Sequence, residues 1–353
     1  MLGKSLKFAA GMAAVAALGL AVGGAAQAQD RKVRLTLQTA FNPNLSVIGE
    51  ASKHFTDLVT AMSGGSIEIR FYEAGKLVPT FEKFDAVRAG TLDAAYGWPG
   101  YIMGKIPAMT VFAAVPFGPT TEEYMAWVLE GNGNKLFQEV YAKHGIHAMI
   151  CGFIGPEAAG WFNKEINTPE DLRGLKIRFA GLGGEVMSKL GASVTVLPAG
   201  EIFPNLEKGV IDATEFSMPS IDRNLGFYKV AKYYYFPGWH QPSSTAEFFM
   251  KKDKWDALSP TQKAVIEGAC KANMAWEISR GNAEQPAAIE YYRQQGIQIK
   301  TFPPVVMDAL RKATAEVMAE QSAKDADFKR VWEDLQGFIA KVRAYNKLHE
   351  GAN

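Results

Sequence analysis

Alternating apolar and polar residues near the start of the chain predict two strands separated by a helix. The run VRLTLQTAF (33–41) alternates with the two-residue period of a strand, and SIEIRFY, which starts at Ser66, does so again. Between them, apolar residues recur at helical spacing up to Met62, and Ser46 is the predicted N-cap of that helix. A strand, a crossover helix and a second strand predict a largely parallel sheet.

Two stretches of the chain share one layout. AGKLVPTFEKFDAVRAGTLDAAYG starts at Ala74, and AGEIFPNLEKGVIDATEF starts at Ala199. Each runs through a proline into a helical pattern and then through Gly-x-x-Asp-Ala into a strand. Their spacers differ in length, whereas a solenoid repeat would keep a fixed period. We therefore predict two halves with a common layout, and HAMICGFIG (147–155) is predicted to be a strand that crosses between them.

The last third of the chain has the pattern of helices. A long helix is predicted from Ser259, its cap, with Pro260 at the first helical position, to about residue 296. Its length suits a bridge between the two halves. Apolar residues at helical spacing predict a final helix over 326–353, which either packs on the core of the chain or forms a dimer surface.

The first 28 residues have the pattern of a secretory signal peptide. Two lysines precede an apolar run over 8–22, and Ala26-Gln27-Ala28 closes it. We expect cleavage before Gln29 and export as a soluble protein. The alternative is a membrane anchor, but the run is short, and no later segment approaches the roughly 20 apolar residues of a spanning helix.

Composition limits the kind of partner and allows two cores. The chain of 353 residues has 38 basic and 37 acidic residues, mixed along its length, so no nucleic-acid partner is expected. Its length exceeds the roughly 250–300 residues at which single cores stop growing. Cys151 and Cys270 lie in apolar surroundings, which favours two buried thiols over the alternative of a disulfide.

One candidate anion site is Arg178, in the run LKIRFAGLGG. The glycines after it do not make a dinucleotide fingerprint, because the sixth position is Val186. In LKIRF the arginine faces away from the apolar side, near the end of a strand where parallel sheets bind ligands. A guanidinium there can hold a carboxylate through two N–H groups; the alternative is a solvated surface arginine.

Other residues suggest a small-ligand cleft. The five histidines form no zinc-binding pattern. Glu215 follows a run expected to be buried strand, so its carboxylate needs a partner such as a cation. Aromatic residues cluster where strands should end, among them Trp98 and Tyr101, and a few polar groups among aromatic walls are typical of ligand pockets.

These features together resemble a known family. The segments AGKLVP, INTPEDLRGLKIRFAG, LPAGEIFPNLEKGVIDATEF and LGFYKVAKYYYFPGW are similar to those of TRAP transporter solute-binding proteins, over essentially the whole mature chain. DATEF with YYYFPGW resembles the branch that binds 2-oxo acids or lactate with a metal ion. The resemblance implies an α/β fold of the two-domain periplasmic binding protein type (class II), with a ligand cleft between the domains, a long bridging helix and a helical C-terminus. The implied domains are residues 29–148 plus 240–282, residues 149–239 plus 283–325, and a C-terminal helix over 326–353.

The resemblance also assigns roles to individual residues. The arginine at position 178 would hold the substrate carboxylate, and Glu215 and the carbonyl of Phe216 would bind the cation. Glu157 stands where this branch commonly has glutamine, and Gln241 is expected to face the ion or the substrate. The expected substrate-binding residues are Arg178, Glu157, Tyr101, Trp98, Phe216 and Gln241, and the expected metal ligands are Glu215, Phe216, Glu157 and Gln241.

The function implied is capture of a small 2-oxo or 2-hydroxy monocarboxylate with a metal ion in the periplasm, for delivery to TRAP membrane subunits. We expect Ca²⁺ over Na⁺, because Glu157 would add a second carboxylate beside an anionic ligand; the alternative is that Glu157 pairs with a basic neighbour. The sequence contains no evident nucleophile–base pair of the kind that would indicate an enzyme. The alternatives are a C4-dicarboxylate or other carboxylate binder without metal, and an enzyme acting on small acids in the same cleft.

Overall fold

A five-stranded mixed sheet contains the strands predicted near the start of the chain. The computed structural model describes residues 31–349, so the predicted signal peptide over 1–28 lies outside the described residues. The strands of this first sheet are β1 (Val33–Thr39), β2 (Ile67–Tyr72), β3 (Ala94–Gly97), β4 (Ile146–Ile154) and β10 (Ser244–Lys251). Their order is β2-β1-β3-β10-β4. β1 runs parallel to β2 and β3, which confirms the predicted parallel opening, and β10 is antiparallel to both of its neighbours.

A second sheet, of six strands, contains the other strands of the described residues. It consists of β5 (Gly160–Phe162), β6 (Lys176–Arg178), β7 (Ser193–Thr195), β8 (Ala213–Thr214), β9 (Tyr233–Phe236) and β11 (Gln298–Thr301). The order is β11-β9-β5-β8-β6-β7, and β5 is antiparallel to both of its neighbours. The α/β fold class expected from the resemblance is confirmed.

Helices pack around the two sheets. Within residues 31–349 the α-helices are α1 (Ile48–Met62), α2 (Lys83–Ala89), α3 (Met109–Ala113), α4 (Thr121–Glu130), α5 (Gly133–Ala142), α6 (Gly181–Lys189), α7 (Ala199–Glu207), α8 (Pro219–Leu225), α9 (Lys252–Asp256), α10 (Pro260–Gln294), α11 (Pro304–Lys324) and α12 (Ala326–Asn346). No helix in this part of the chain is long and apolar enough to cross a membrane.

The start of α1 differs from the prediction. Val47, not Ser46, occupies the N-cap position, with a φ of 60°. The backbone amide of Ser46 donates to Asn224 Oδ1 at 2.8 Å, and its hydroxyl donates to the carboxylate of Glu284. Ser46 as the cap is therefore wrong, because groups from distant segments bind its polar atoms instead.

The two stretches with a shared layout become equivalent elements. The first folds into α2 and β3 and the second into α7 and β8. Both strands occupy inner positions of their sheets. Trp98 therefore follows one inner strand directly, and Glu215 follows the other.

The chain passes between the two sheets at three places. The predicted strand around 147–155 exists as β4, but it pairs with β10 along its length in the first sheet, so the first crossing lies after Ile154. The second lies between β9 and β10, and the third is α10. We propose that the two predicted domains follow the two sheets, which would move the boundary expected at residue 148 to the segment after β4.

Helix α10 has the start that the sequence predicts. It spans 35 residues, with Pro260 in its first turn. The hydroxyl of Ser259 accepts a hydrogen bond from the Gln262 amide at 3.1 Å, as a capping residue does. The structure confirms this long helix between the last strand of the first sheet and the last strand of the second.

A disulfide joins β4 to α10. It links Cys151 and Cys270, which are 119 positions apart in the chain, so the prediction of two buried thiols is wrong. Both residues are buried, as the apolar setting indicated. The packing of α10 against β4 brings them into contact, which their local sequences do not show. Asn273 strengthens the same junction, because its side-chain amide donates to the carbonyl of Cys151 at 2.9 Å.

The last helix packs on the chain itself. The buried side of α12 includes Phe328 and Leu335, which belong to the same apolar core as residues of α4 and α5. At its edges, Trp127 donates to Asp334 at 2.7 Å, and Arg343 pairs with Glu123 at 2.8 Å. The interpretation as a helix that packs on its own core is confirmed, whereas the homodimer stays a prediction.

Candidate functional site

A small cavity lies where residues from both sheets meet. Trp98 and Tyr101 follow β3 of the first sheet, Arg178 ends β6, and Glu215 and Phe216 follow β8 of the second. Glu157 and Gln241 come from the two segments that cross between the sheets. Every substrate and metal residue expected from the resemblance lines this cavity: Trp98, Tyr101, Glu157, Arg178, Glu215, Phe216 and Gln241.

The Arg178 guanidinium forms the positive wall of the cavity. It is 1% exposed, so the alternative of a solvated surface arginine is wrong. Nη1 donates to the backbone carbonyl of Glu215 at 2.7 Å and to its Oε2 at 2.9 Å, and Nε donates to the Leu197 carbonyl at 3.3 Å. The ring centroid of Phe216 lies 5.1 Å from the guanidinium carbon. A guanidinium has five N–H donors, so Nη2 can still serve an anion in the cavity.

Glu215 is an ionised carboxylate with one oxygen turned away from Arg178. Its Oε2 accepts from Arg178 and, at 3.4 Å, from the backbone amide of Ala180. Burial by itself raises the pKa of Glu215, but Arg178, His240 and the Ala180 amide together outweigh that effect, so the pKa is lowered overall. The other oxygen, Oε1, lies 3.4 Å from Nε2 of His240.

Glu157 is a second buried carboxylate in the same cavity. Ser217 donates its hydroxyl to Oε1 at 2.9 Å. The Gln241 amide nitrogen, oriented toward Glu157, lies 3.1 Å from Oε2 and 3.3 Å from Oε1 of that carboxylate. Burial, together with the charge of Glu215, raises the pKa of Glu157 to about 7. Its nearest basic group is the ring of His240, with Nε2 3.7 Å from Oε2.

His240 completes this acidic cluster, and the sequence prediction missed it. The side chain is buried, and its ring packs edge-on against Phe179 with centroids 4.7 Å apart. Burial by itself lowers the pKa of His240, but the contacts with Glu157 and Glu215 outweigh it and raise the pKa. The only sequence signal was its position beside Gln241, since the partners come from segments far apart in the chain.

The three side chains fit a metal ion. One ligand atom each from Glu157, Glu215 and His240 lie within 4.8 Å of one another, and all three residues are buried. Two buried carboxylates so close together require compensating charge. Arg178 supplies one positive charge and, of the two glutamates, pairs with Glu215, so a cation beside the remaining oxygens would balance the cluster.

Aromatic groups form the rest of the wall. The rings of Trp98 and Tyr101 meet edge to face with centroids 5.1 Å apart, and the Trp98 indole donates to the Ser244 hydroxyl at 3.0 Å. Burial raises the pKa of Tyr101 to about 12, so its hydroxyl stays neutral and can donate to an anion. The cavity is small, and a few polar groups stand among aromatic walls, as in ligand pockets. It therefore suits a small anion with a short apolar part.

Comparisons with known proteins agree with a binding site of this kind. The family model described as "bacterial extracellular solute-binding protein, family 7" matches residues 39–325. A monocarboxylate 2-oxoacid-binding periplasmic protein of Nostoc sp. is 35% identical over 293 residues, which cover 83% of this chain and 80% of the relative.

Solved structures show the same fold. A TRAP transporter solute-binding protein from Bordetella bronchiseptica, a mixed-occupancy dimer with copurified calcium and picolinate, has a TM-score of 0.89 and 34% identity, covering 92% of this chain and 96% of its own. A TRAP periplasmic solute-binding protein from Pseudoalteromonas atlantica with bound sodium and pyruvate has a TM-score of 0.87 and 35% identity, covering 91% and 98%.

Proposed function

The chain belongs to family 7 of the bacterial extracellular solute-binding proteins, and we propose that it captures a small 2-oxo or 2-hydroxy monocarboxylate together with a metal ion. Pyruvate, 2-oxobutyrate and lactate are the candidates. Family members bind solutes rather than transform them, so the chain is a receptor and not an enzyme. We further propose that it acts in the periplasm and delivers its ligand to the membrane subunits of a TRAP transporter.

The observation that carries this proposal is the burial of one guanidinium and two carboxylates around one small cavity. Arg178 can hold a ligand carboxylate through parallel N–H groups. A 2-oxo or 2-hydroxy acid offers an oxygen on the neighbouring carbon as well, so its carboxylate and α-oxygen can bind one cation together. Glu157 and Glu215 supply the protein side of that cation site.

We propose that the ion is Ca²⁺ rather than Na⁺. The cluster contains two carboxylates, and a carboxylate ligand would add a third negative charge. A divalent ion gains twice the Coulomb energy of a monovalent ion from each of these charges. Ca²⁺ also accepts six to eight oxygen ligands, which the glutamates, the Phe216 carbonyl and the Gln241 amide oxygen could contribute together with the ligand.

Ligand entry requires the two sheets to separate at the cavity. Trp98 and Tyr101 come from the first sheet, whereas Arg178 and Glu215 come from the second, and all four line the same buried space. A ligand bound there would contact both sides and so favour the arrangement in which they meet. We propose that this closed form is the one that the membrane subunits recognise.

Isothermal titration calorimetry tests the proposed ligand and ion. Pyruvate, 2-oxobutyrate, lactate, succinate and sialic acid are titrated in Ca²⁺, in Na⁺, and after exhaustive chelation. We expect binding of the first three only, tightest in Ca²⁺ and lost on chelation. Tighter binding of succinate or sialic acid without metal would instead establish a carboxylate binder of the metal-free kind.

Two variants test the role of Arg178. Arg178→Lys keeps the positive charge but not the parallel N–H groups, and we expect it to weaken pyruvate binding by about 10- to 100-fold. Lys176→Ala is the matched control, because Lys176 lies on the same strand and is exposed. Equal affinity of Arg178→Lys and the wild type would contradict the assignment.

A further inference from the structure

No residue in the described part of the chain forms a hydrogen bond with either ring nitrogen of His240. Both ring nitrogens lack a hydrogen-bond partner within residues 31–349, although the side chain is 1% exposed. A buried polar group without a partner costs free energy and is uncommon in folded proteins. Its environment therefore indicates a missing ligand of the ring rather than a packing role alone.

One carboxylate oxygen of each of two glutamates faces the same nitrogen of that ring. Oε2 of Glu215 is bound by Arg178 and Ala180, and its Oε1 lies 3.4 Å from His240 Nε2. Oε1 of Glu157 is bound by Ser217, and its Oε2 lies 3.7 Å from the same nitrogen. One oxygen of each glutamate thus faces Nε2, and the Gln241 amide nitrogen, oriented toward Glu157, also contacts both Glu157 oxygens at 3.1 and 3.3 Å.

Both separations exceed the usual length of an N–H···O bond, Nε2 has no hydrogen-bond partner in the described residues, and both distances suit two ligands of one ion. N–H···O bonds in proteins are about 2.7–3.2 Å long. Two atoms bound to one ion by bonds of about 2.1 Å lie about 3.0 Å apart at a right angle and about 3.4 Å apart at a tetrahedral angle. The 3.4 Å between His240 and Glu215 falls at the tetrahedral value, and the 3.7 Å to Glu157 needs only a wider angle.

Packing holds the imidazole in this orientation. Its ring lies edge-on to Phe179, 4.7 Å away, and beside Trp239, 5.6 Å away. Gly183 allows the close approach of α6, since a Cβ at that position would lie 2.8 Å from the His240 Cβ. The glycine-rich start of α6 thus leaves room for the histidine beside the acidic pair.

We propose that His240 Nε2 is a third protein ligand of the cation, beside Glu157 and Glu215. This nitrogen makes the site prefer first-row divalent ions such as Co²⁺ and Zn²⁺ over Ca²⁺. The inference rests on the metal site of the proposed function. It ranks the affinity of the site for first-row divalent ions above that for Ca²⁺, which the proposed function ranks above that for Na⁺. Imidazole nitrogen is a good ligand for these first-row ions. Ca²⁺ takes oxygen ligands almost exclusively and gains little from a histidine.

The test uses the metal alone, so that it does not depend on the organic ligand. Co²⁺ and Ca²⁺ affinities are measured by calorimetry for the wild type, for His240→Gln and for His147→Gln. His147→Gln is the control, because His147 Nε2 also has no hydrogen-bond partner in the described residues. His147 lies on β4, stacked on Trp255, away from the acidic pair. We expect tighter binding of Co²⁺ than of Ca²⁺ by the wild type. His240→Gln should lose at least tenfold in Co²⁺ affinity and less than threefold in Ca²⁺ affinity, and the control should lose neither.

A spectroscopic readout identifies the nitrogen directly. In protein labelled with ¹⁵N-histidine, Zn²⁺ should shift the Nε2 resonance that is absent from the spectrum of His240→Gln. Tighter Ca²⁺ than Co²⁺ binding by the wild type, or an unshifted His240 resonance in metal-saturated protein, would overturn the inference. Where His240→Gln fails to fold, the His240 resonance is identified as the one that remains in the spectra of the glutamine variants of all four other histidines.

The two proposals fail in different ways. Pyruvate binding with Ca²⁺ but no His240 signature would leave the proposed function standing and remove the histidine from the ligand set. Metal binding through His240 with no binding of any 2-oxo or 2-hydroxy acid would remove the proposed function and retain the inference.

Discussion

The disulfide between Cys151 and Cys270 leads to a quantitative prediction about stability. In the chain-entropy description, a cross-link restricts the unfolded chain by an amount that grows with the loop it closes. The two cysteines are 119 residues apart, for which that relation gives about 4.9 kcal/mol at 25 °C. Native disulfides typically contribute about 2–5 kcal/mol, so we expect Cys151→Ser with Cys270→Ser to lower the free energy of unfolding by about 3–5 kcal/mol.

The assay is urea unfolding followed by tryptophan fluorescence and circular dichroism. The wild type is compared with each single serine variant, with the double variant and with the wild type in reductant. Because loss of either cysteine opens the same loop, all of these should unfold at similarly lowered urea concentrations. Reductant should not change the urea midpoint of the double variant. The double variant therefore controls for any action of the reductant on the protein besides reduction of this disulfide.

Thiol titration in denaturant shows directly whether the two cysteines form a disulfide. Purified protein should show no reactive thiols before reduction and two after it, because the structure joins both cysteines in a disulfide. Two reactive thiols in the untreated protein, or equal unfolding midpoints for the wild type and the double variant, would refute the reasoning. Neither cysteine lines the ligand cavity, so ligand affinity of the folded double variant should stay within threefold of the wild type.

Three further predictions follow from buried charges and close packing. Glu157→Gln removes one carboxylate from the cation site and should lower the ratio of Ca²⁺ to Na⁺ affinity at least tenfold; an unchanged ratio in calorimetry would contradict its role. Gly152→Ala should lower the thermal midpoint, because a Cβ there would lie 1.7 Å from Glu277 Oε2, and the added Glu277→Ala should restore part of the loss. Burial raises the pKa of Glu247 to about 7, so the folded protein binds a proton more tightly than the unfolded chain, and stability should fall by up to about 3 kcal/mol from pH 4.5 to 7. Glu247→Gln should flatten that slope in chemical denaturation measured across this range.

Several elements could be predicted because their causes are local. The alternation around β1 and β2, the serine–proline start of α10 and the apolar spacing of α12 each lie within a few turns of chain, and the structure has all of them. The repeat of one layout likewise led to the two inner strands, β3 and β8. The prediction failed where a residue interacts with a segment far away in the chain. The backbone amide of Ser46 binds the side chain of Asn224, and Ser46 does not cap α1. Cys151 on β4 forms a disulfide with Cys270 on α10.

The sequence by itself determined the strands, the long helices and the residue types of the site, because propensity and periodicity act over short distances. It also singled out Arg178 as facing away from an apolar strand side. Only the tertiary structure decided that this arginine is buried against Glu215, and that Glu157 and His240, 83 positions apart in the numbering, lie side by side. Charges separated along the chain interact only after folding brings them together and removes water from between them, so the site is a property of the fold.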